Sequence, residues 1–231
     1  MPIPSHSTWL IIANWKTYLT AQQAEFWLLR HAADLCYLQQ KAKIIICPEI
    51  ASLNLIRNLA PTEISVGAQT CSDDAPGADT GKVSARSLHD LRASYCLVNH
   101  SEIQQALAKT VNQLKQLHET AITPIICFGS GDELLKIIEN TSCNIIQNSI
   151  LAFEPPEAIG KSALPIQILK KHFETIHKLL IERKCPSLLL YGGGVTAENC
   201  KDIRKTGLIN GFLLGRASTD FQSLEKIVFS C

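Results

Sequence analysis

The sequence predicts an α/β protein, a (β/α)8 barrel of eight parallel strands with outer helices, and three observations lead there. Eight short apolar runs recur along the whole length, most of them continuous rather than alternating, as strands covered on both faces tend to be. Segments of helical period lie between them. No linker or low-complexity insert interrupts the series, so residues 1–231 read as a single domain. A doubly wound parallel sheet is the alternative that periodicity leaves open.

The runs are "WLIIA" (9–13), "KIIIC" (43–47), "ISVGA" (64–68), "YCLV" (95–98), "PIICF" (124–128), "SILAF" (149–153), "SLLLY" (187–191) and "GFLLG" (211–215). After the first, Thr20 and Gln23 have the spacing of a capping box, and Ala24, Trp27, Leu28, His31, Leu35 and Leu38 fall on one helical face. After the fourth, Ile103, Leu107, Val111, Leu114 and Ala121 form a stripe; after the sixth, Ile166, Leu169, Phe173, Ile176 and Leu180 form another. Thr196 is placed to cap a short helix that Gly207 ends, and "STDFQSLEKIVF" supplies the last helix.

At 231 residues the chain can bury one sizeable core or two small ones. Apolar residues make up 46%, charged residues 19%, and the formal net charge is +1, so neither nucleic acid nor an anionic membrane surface is implied as a partner. No apolar run approaches the roughly 20 residues of a membrane span, and the N-terminus lacks the pattern of a signal peptide. Nine cysteines at irregular spacing with no C-x-x-C, and seven histidines without a cluster, suggest a reduced, cytoplasmic protein with no structural metal.

In both candidate folds ligands sit at the carboxyl ends of the strands. There the sequence places Asn14 and Lys16 after the first run, His100 and Glu102 after the fourth, and Glu154 after the sixth. "YGGG" (191–194) follows the seventh and "GRAS" (215–218) the eighth, each ahead of a helix. Singly, each has an ordinary structural reading: a hydrogen-bonded histidine, a solvated lysine, a flexible turn, a Glu154–Lys16 ion pair. Together at one end of one architecture they describe a site. Glycine turns at helix N-termini present backbone N–H groups to an anion. A phosphorylated small molecule held there sets its carbons near His100 and Glu154. A carboxylate base, a hydrogen-bond donor and a cation are what proton abstraction beside a carbonyl needs.

The chain resembles the triosephosphate isomerase family through "ANWKTYL", "VGAQTCSDDAPGADTGKVSARSLHDLRASYCLVNHSE", "PIICFG", "AFEPPEAIG", "YGGGVTAEN" and "GFLLGRAS", in order over nearly its whole length. The resemblance implies a TIM barrel that interconverts dihydroxyacetone phosphate and D-glyceraldehyde 3-phosphate through an enediolate, without metal or organic cofactor. It implies Glu154 as the base, His100 as a neutral electrophile, Lys16 as the cation, Asn14 as a substrate hydrogen-bonding residue, and Glu102 as the acid near the lysine. Ser101 is expected to begin a helix whose N-terminus keeps His100 neutral, a property that belongs to the family and comes with the resemblance. Gly160 is expected to donate its N–H to phosphate from a lid over residues 155–163, joined by Gly193, Gly194, Gly215 and Arg216. A homodimer is implied, with Thr80 reaching the partner subunit.

This sequence departs from the family pattern in several places. "AIGKSA" either shortens the lid by two residues or recasts its end, Gly194 stands where a serine is usual, and Arg216 stands where a glycine is. Lys82 replaces an acid and Ile103 an arginine in the dimer contact, and the stretch from Gly129 to Asn148 is short enough to trim an outer helix. The competing functions are isomerisation of a four-carbon ketose phosphate and, in another class, a non-catalytic phosphate-binding barrel.

Overall fold

Eight strands close into a barrel in simple sequence order, all parallel, with β8 returning to pair with β1. The computed structural model describes residues 9–103 and 105–231. The strands are β1 (Leu10–Asn14), β2 (Lys43–Cys47), β3 (Ser65–Ala68), β4 (Tyr95–Val98), β5 (Thr123–Phe128), β6 (Ile150–Phe153), β7 (Leu188–Tyr191) and β8 (Gly211–Leu214). Each falls on one of the eight apolar runs. The helices are α1 (Ala21–Leu38), α2 (Ile50–Leu59), α3 (Ala85–Asp90), α4 (Leu107–Glu119), α5 (Gly131–Glu139), α6 (Cys143–Gln147), α7 (Ile166–Glu182), α8 (Cys200–Arg204) and α9 (Phe221–Ser230).

The continuous runs are apolar because both faces of each strand are covered. Leu10 and Ile12 point into the barrel with Ile45, Leu97, Ile125 and Leu190. Their neighbours Ile11 and Ala13 point outward into the layer between strands and helices, with Leu28, Leu114 and Phe173. Closure at the last seam needs a glycine: a Cβ on Gly211 would run into the backbone of Leu10 on β1.

Helix boundaries follow local chemistry. The Thr20–Gln23 capping box forms in full and starts α1. The α4 stripe differs from the sequence reading: the helix begins at Leu107, Ile103 lies in the preceding turn and is exposed, and Ala121 lies beyond the helix end with a φ of 55°. The buried face is instead Thr110, Val111, Gln113, Leu114 and Leu117. Thr196 is also not the cap of α8. Asn199 occupies that position, and its side chain accepts from the Thr196 N–H at 2.9 Å. Between β5 and β6 the outer layer holds a nine-residue α5 and a five-residue α6. Cys143 and Cys185, 42 residues apart, are paired with a Cα–Cα distance of 5.5 Å, where the sequence suggested only free thiols.

Candidate active site

The end of β1 is held by a tight set of polar contacts. Asn14 is buried, and its Oδ1 accepts from the Lys16 N–H at 3.1 Å. That bond stabilises Lys16 in a left-handed backbone conformation, with φ at 46°, an arrangement uncommon outside glycine. Gln69, just past β3, donates to the carbonyls of Lys16 at 2.8 Å and Cys47 at 3.1 Å. Trp15 turns outward and its indole N–H reaches Ser218 O at 3.2 Å, tying the β1 end to the β8 end. So fixed, the Lys16 ammonium meets Glu102 Oε1 at 2.5 Å.

His100 is 5% exposed at the end of β4. Its Nδ1 accepts the Glu102 backbone N–H at 3.2 Å. An accepting Nδ1 carries a lone pair, so the ring proton of the neutral imidazole sits on Nε2. Nε2 faces Glu154 Oε1 at 3.4 Å. The donor to Nδ1 comes from a turn, since the helix expected at Ser101 does not start until Leu107. Asn99, with a φ of 60°, braces that turn by donating to Cys127 O at 3.0 Å and Glu133 Oε1 at 2.8 Å.

Glu154 is 7% exposed, and its Oε2 has no hydrogen-bond partner among the described residues. A buried carboxylate oxygen without a donor is costly, so this one is placed to receive something from a ligand. Its backbone N–H pairs with Phe128 O at 2.9 Å, which fixes the strand end. Gly192 gives it room: a Cβ there would lie 3.0 Å from the Glu154 Cγ. Burial and then the Glu154 carboxylate push the Cys127 thiol of the barrel interior well above its ordinary range, so the thiol next to Glu154 stays protonated.

Glu154, His100, Lys16 and Asn14 share one cavity of about 220 Å³ with Gly160, Gly193, Gly194, Gly215 and Arg216. Glu102 lies behind Lys16 and is not part of its lining. The segment over 155–163 folds as two successive turns, Ala158 N–H to Pro155 O at 2.9 Å and Lys161 N–H to Ala158 O at 3.2 Å. It lies directly on Gly194. A Cβ at that position would strike the Lys161 carbonyl and come 2.5 Å from Ala163 N, and the backbone there has a φ of 56°. Gly194 is therefore what lets the segment lie down there. Tyr18 also lines the cavity, and neither it nor Gln69 was singled out in the sequence. Their one signal was proximity to the ends of β1 and β3.

A family model described as Triosephosphate isomerase matches residues 9–231. The chain belongs to the triosephosphate isomerase family. It is similar to the triosephosphate isomerases of Thermus thermophilus, 32% identical over 95% of this chain and 97% of that protein, and Aquifex aeolicus, 30% identical over 96% and 98%. That of Francisella philomiragia is 27% identical over 95% of each. The alignment with the Aquifex protein runs to 245 positions, more than the 231 residues of this chain, so this chain lacks residues that its relative has. Membership makes the protein an enzyme, an intramolecular oxidoreductase of the aldose–ketose isomerase type.

Proposed function

We propose that the protein interconverts dihydroxyacetone phosphate and D-glyceraldehyde 3-phosphate by proton transfer between adjacent carbons. The observation that carries this reading is the buried Glu154 carboxylate, one oxygen 3.4 Å from His100 Nε2 and the other unpartnered, at the floor of a cavity ringed by glycines. Glu154 takes the proton from the carbon next to the carbonyl, and the C–H electron pair moves to form an enediolate. His100 Nε2–H hydrogen-bonds the developing oxyanion, and the Lys16 ammonium offsets its charge. Asn14 hydrogen-bonds substrate beside Lys16, and Glu102 holds the ammonium in place. The hydroxyl proton passes from one enediolate oxygen to the other by way of His100 Nε2, and Glu154 returns its proton to the neighbouring carbon, which leaves the carbonyl on the first.

The phosphate is bound by backbone N–H groups of Gly160, Gly193, Gly194, Gly215 and Arg216, while residues 155–163 close over the intermediate. Exclusion of water there protects the enediolate from expelling its phosphate. No metal or cofactor enters the scheme. Residues 1–231 act as one domain under this reading, and the setting is the cytoplasm. Among the described residues no helix is long and apolar enough to cross a membrane.

A homodimer completes the reading, with the Thr80 loop reaching the partner subunit. The usual charge pair across that contact is replaced: Lys82 meets Asp74 and Asp79 of its own loop, each at 2.8 Å, and Ile103 is exposed nearby. Lys82 enters such an interface already paired within its own loop, so it is no orphan charge there.

Glu154→Gln tests the assignment. The amide is nearly isosteric but is no base, so kcat falls about a hundredfold or more while inorganic phosphate still binds. Unchanged kcat would remove Glu154 from the mechanism.

A further inference from the structure

Three cationic residues line the cavity: Lys16 from the β1 end, Lys161 from the lid segment and Arg216 from the β8 end. They are not equivalent. Lys16 is neutralised by Glu102 at 2.5 Å, whereas neither Lys161 nor Arg216 makes an ion pair among the described residues. The β8 end also packs against Lys16: a Cβ on Gly215 would lie 3.5 Å from Lys16 Cε and 3.9 Å from Nζ.

Arg216 is exposed, yet its guanidinium has a defined place at the cavity rim. Its guanidinium lies over the Tyr18 ring, 5.2 Å from the centroid, and Tyr18 lines the same cavity while being 42% exposed. Stacking on an aromatic face holds a guanidinium by its plane and leaves the N–H edge free to bond. Guanidinium and phosphate match as planar fork and tetrahedral anion, and the pairing is among the stronger charge-assisted contacts.

Resting on the isomerase reading, we propose that Arg216, positioned by Tyr18, is a substrate-binding residue that grips the phosphate dianion by its side chain as well as its backbone. Lys161 contributes the second uncompensated charge from the lid. Two free cations match one dianion, so the ligand neutralises the cavity mouth as it binds. In this chain a share of the phosphate grip passes from fixed backbone donors to side chains that reach across the gap. Tyr18 acts only through Arg216.

The test uses inorganic phosphate as the probe, titrated calorimetrically against the full chain at several salt concentrations. Arg216→Gly weakens phosphate binding by about tenfold and flattens its salt dependence. Tyr18→Ala loses part of the same affinity, and Tyr18→Phe, which keeps the ring, restores it. Arg216→Lys falls between wild type and Arg216→Gly, because charge remains but the fork is gone. Phosphate binding by Arg216→Gly equal to wild type, with a melting curve showing a folded protein, overturns the proposal. So does Tyr18→Phe behaving like Tyr18→Ala. Phosphate binding that depends on Arg216, in a protein that fails to turn over D-glyceraldehyde 3-phosphate, sinks the isomerase reading and leaves the anion grip standing.

Discussion

The two halves of the cavity are built differently. On one side β1, β4 and β6 carry Lys16, His100 and Glu154, and every one matches the family pattern. On the other side the lid, the β7 turn and the β8 turn carry "AIGKSA", Gly194 and Arg216, the places where the resemblance breaks. The contrast follows from the physics of each task. Moving a proton between neighbouring carbons needs atoms placed to a few tenths of an ångström, with tautomer and charge defined. The proton half accordingly shows Nδ1 of His100 held by a backbone N–H and Asn14 bonded to the Lys16 N–H. Holding a dianion needs only enough N–H groups and positive charge within reach, and several arrangements meet that need.

The anion half also shows how one departure accommodates another. The lid segment reaches its position by lying on the backbone at residue 194, where a Cβ has no room. The course of the lid segment and the glycine beneath it go together. Gly194→Ala breaks this half of the contrast, since the methyl group strikes the Lys161 carbonyl and the left-handed backbone is strained besides. We expect kcat/KM to fall by about tenfold, as about 1–2 kcal/mol of lid displacement implies. The chemistry of the proton half stays intact, so the pH profile keeps its shape. Wild-type kcat/KM in this variant would mean that the lid does not use the position it occupies here. The effect is smaller than that of Glu154→Gln, as expected if placement of the base is the stricter demand.

A milder effect concerns the floor beneath the proton half. Burial raises the Cys47 thiol to about 12, and burial with the Glu154 carboxylate raises that of Cys127. The sign follows directly. Below about pH 8.5 folded and unfolded chains both keep these protons, so stability does not change on their account. Above it the unfolded chain releases them and the folded chain does not, so stability is lost as pH rises. The slope reaches about 1.4 kcal/mol per pH unit for each thiol. Thermal melting between pH 8 and 10 measures it, with Cys47→Ala reducing the slope. A melting temperature flat across that range would indicate a floor open to water, and a Glu154 less desolvated than the proton half requires.

How much of this was legible in the sequence follows the same division. All eight strands were readable because a strand buried on both faces leaves an uninterrupted apolar run, as in 43–47. The residues at their ends were readable once the strands were placed. Helix starts were less so. Ile103 and Ala121 fit a helical period, but the chain turns at 101–103 to offer an N–H to His100, and the helix waits until Leu107. Thr196 and Asn199 are both good caps by type, and only the fold decides that Asn199 takes the position. The Cys143–Cys185 pair joins the start of α6 to the loop before β7 across 42 residues, a separation that no local pattern reports. Tyr18 and Gln69 matter through what they touch across the barrel mouth, Arg216 for one and the Lys16 carbonyl for the other. Contacts of that kind depend on closure of the barrel and leave no trace in spacing.

Proton transfer by Glu154 requires that the segment over residues 155–163 close on the intermediate. A coupled assay with D-glyceraldehyde 3-phosphate, following dihydroxyacetone phosphate and methylglyoxal together, tests it most directly. Fast isomerisation with little methylglyoxal is the expected result, because Glu154 forms the enediolate and the segment resting on Gly194 keeps it from losing phosphate. Substantial methylglyoxal would contradict the closed lid, and absence of any turnover would contradict the proton-transfer assignment itself.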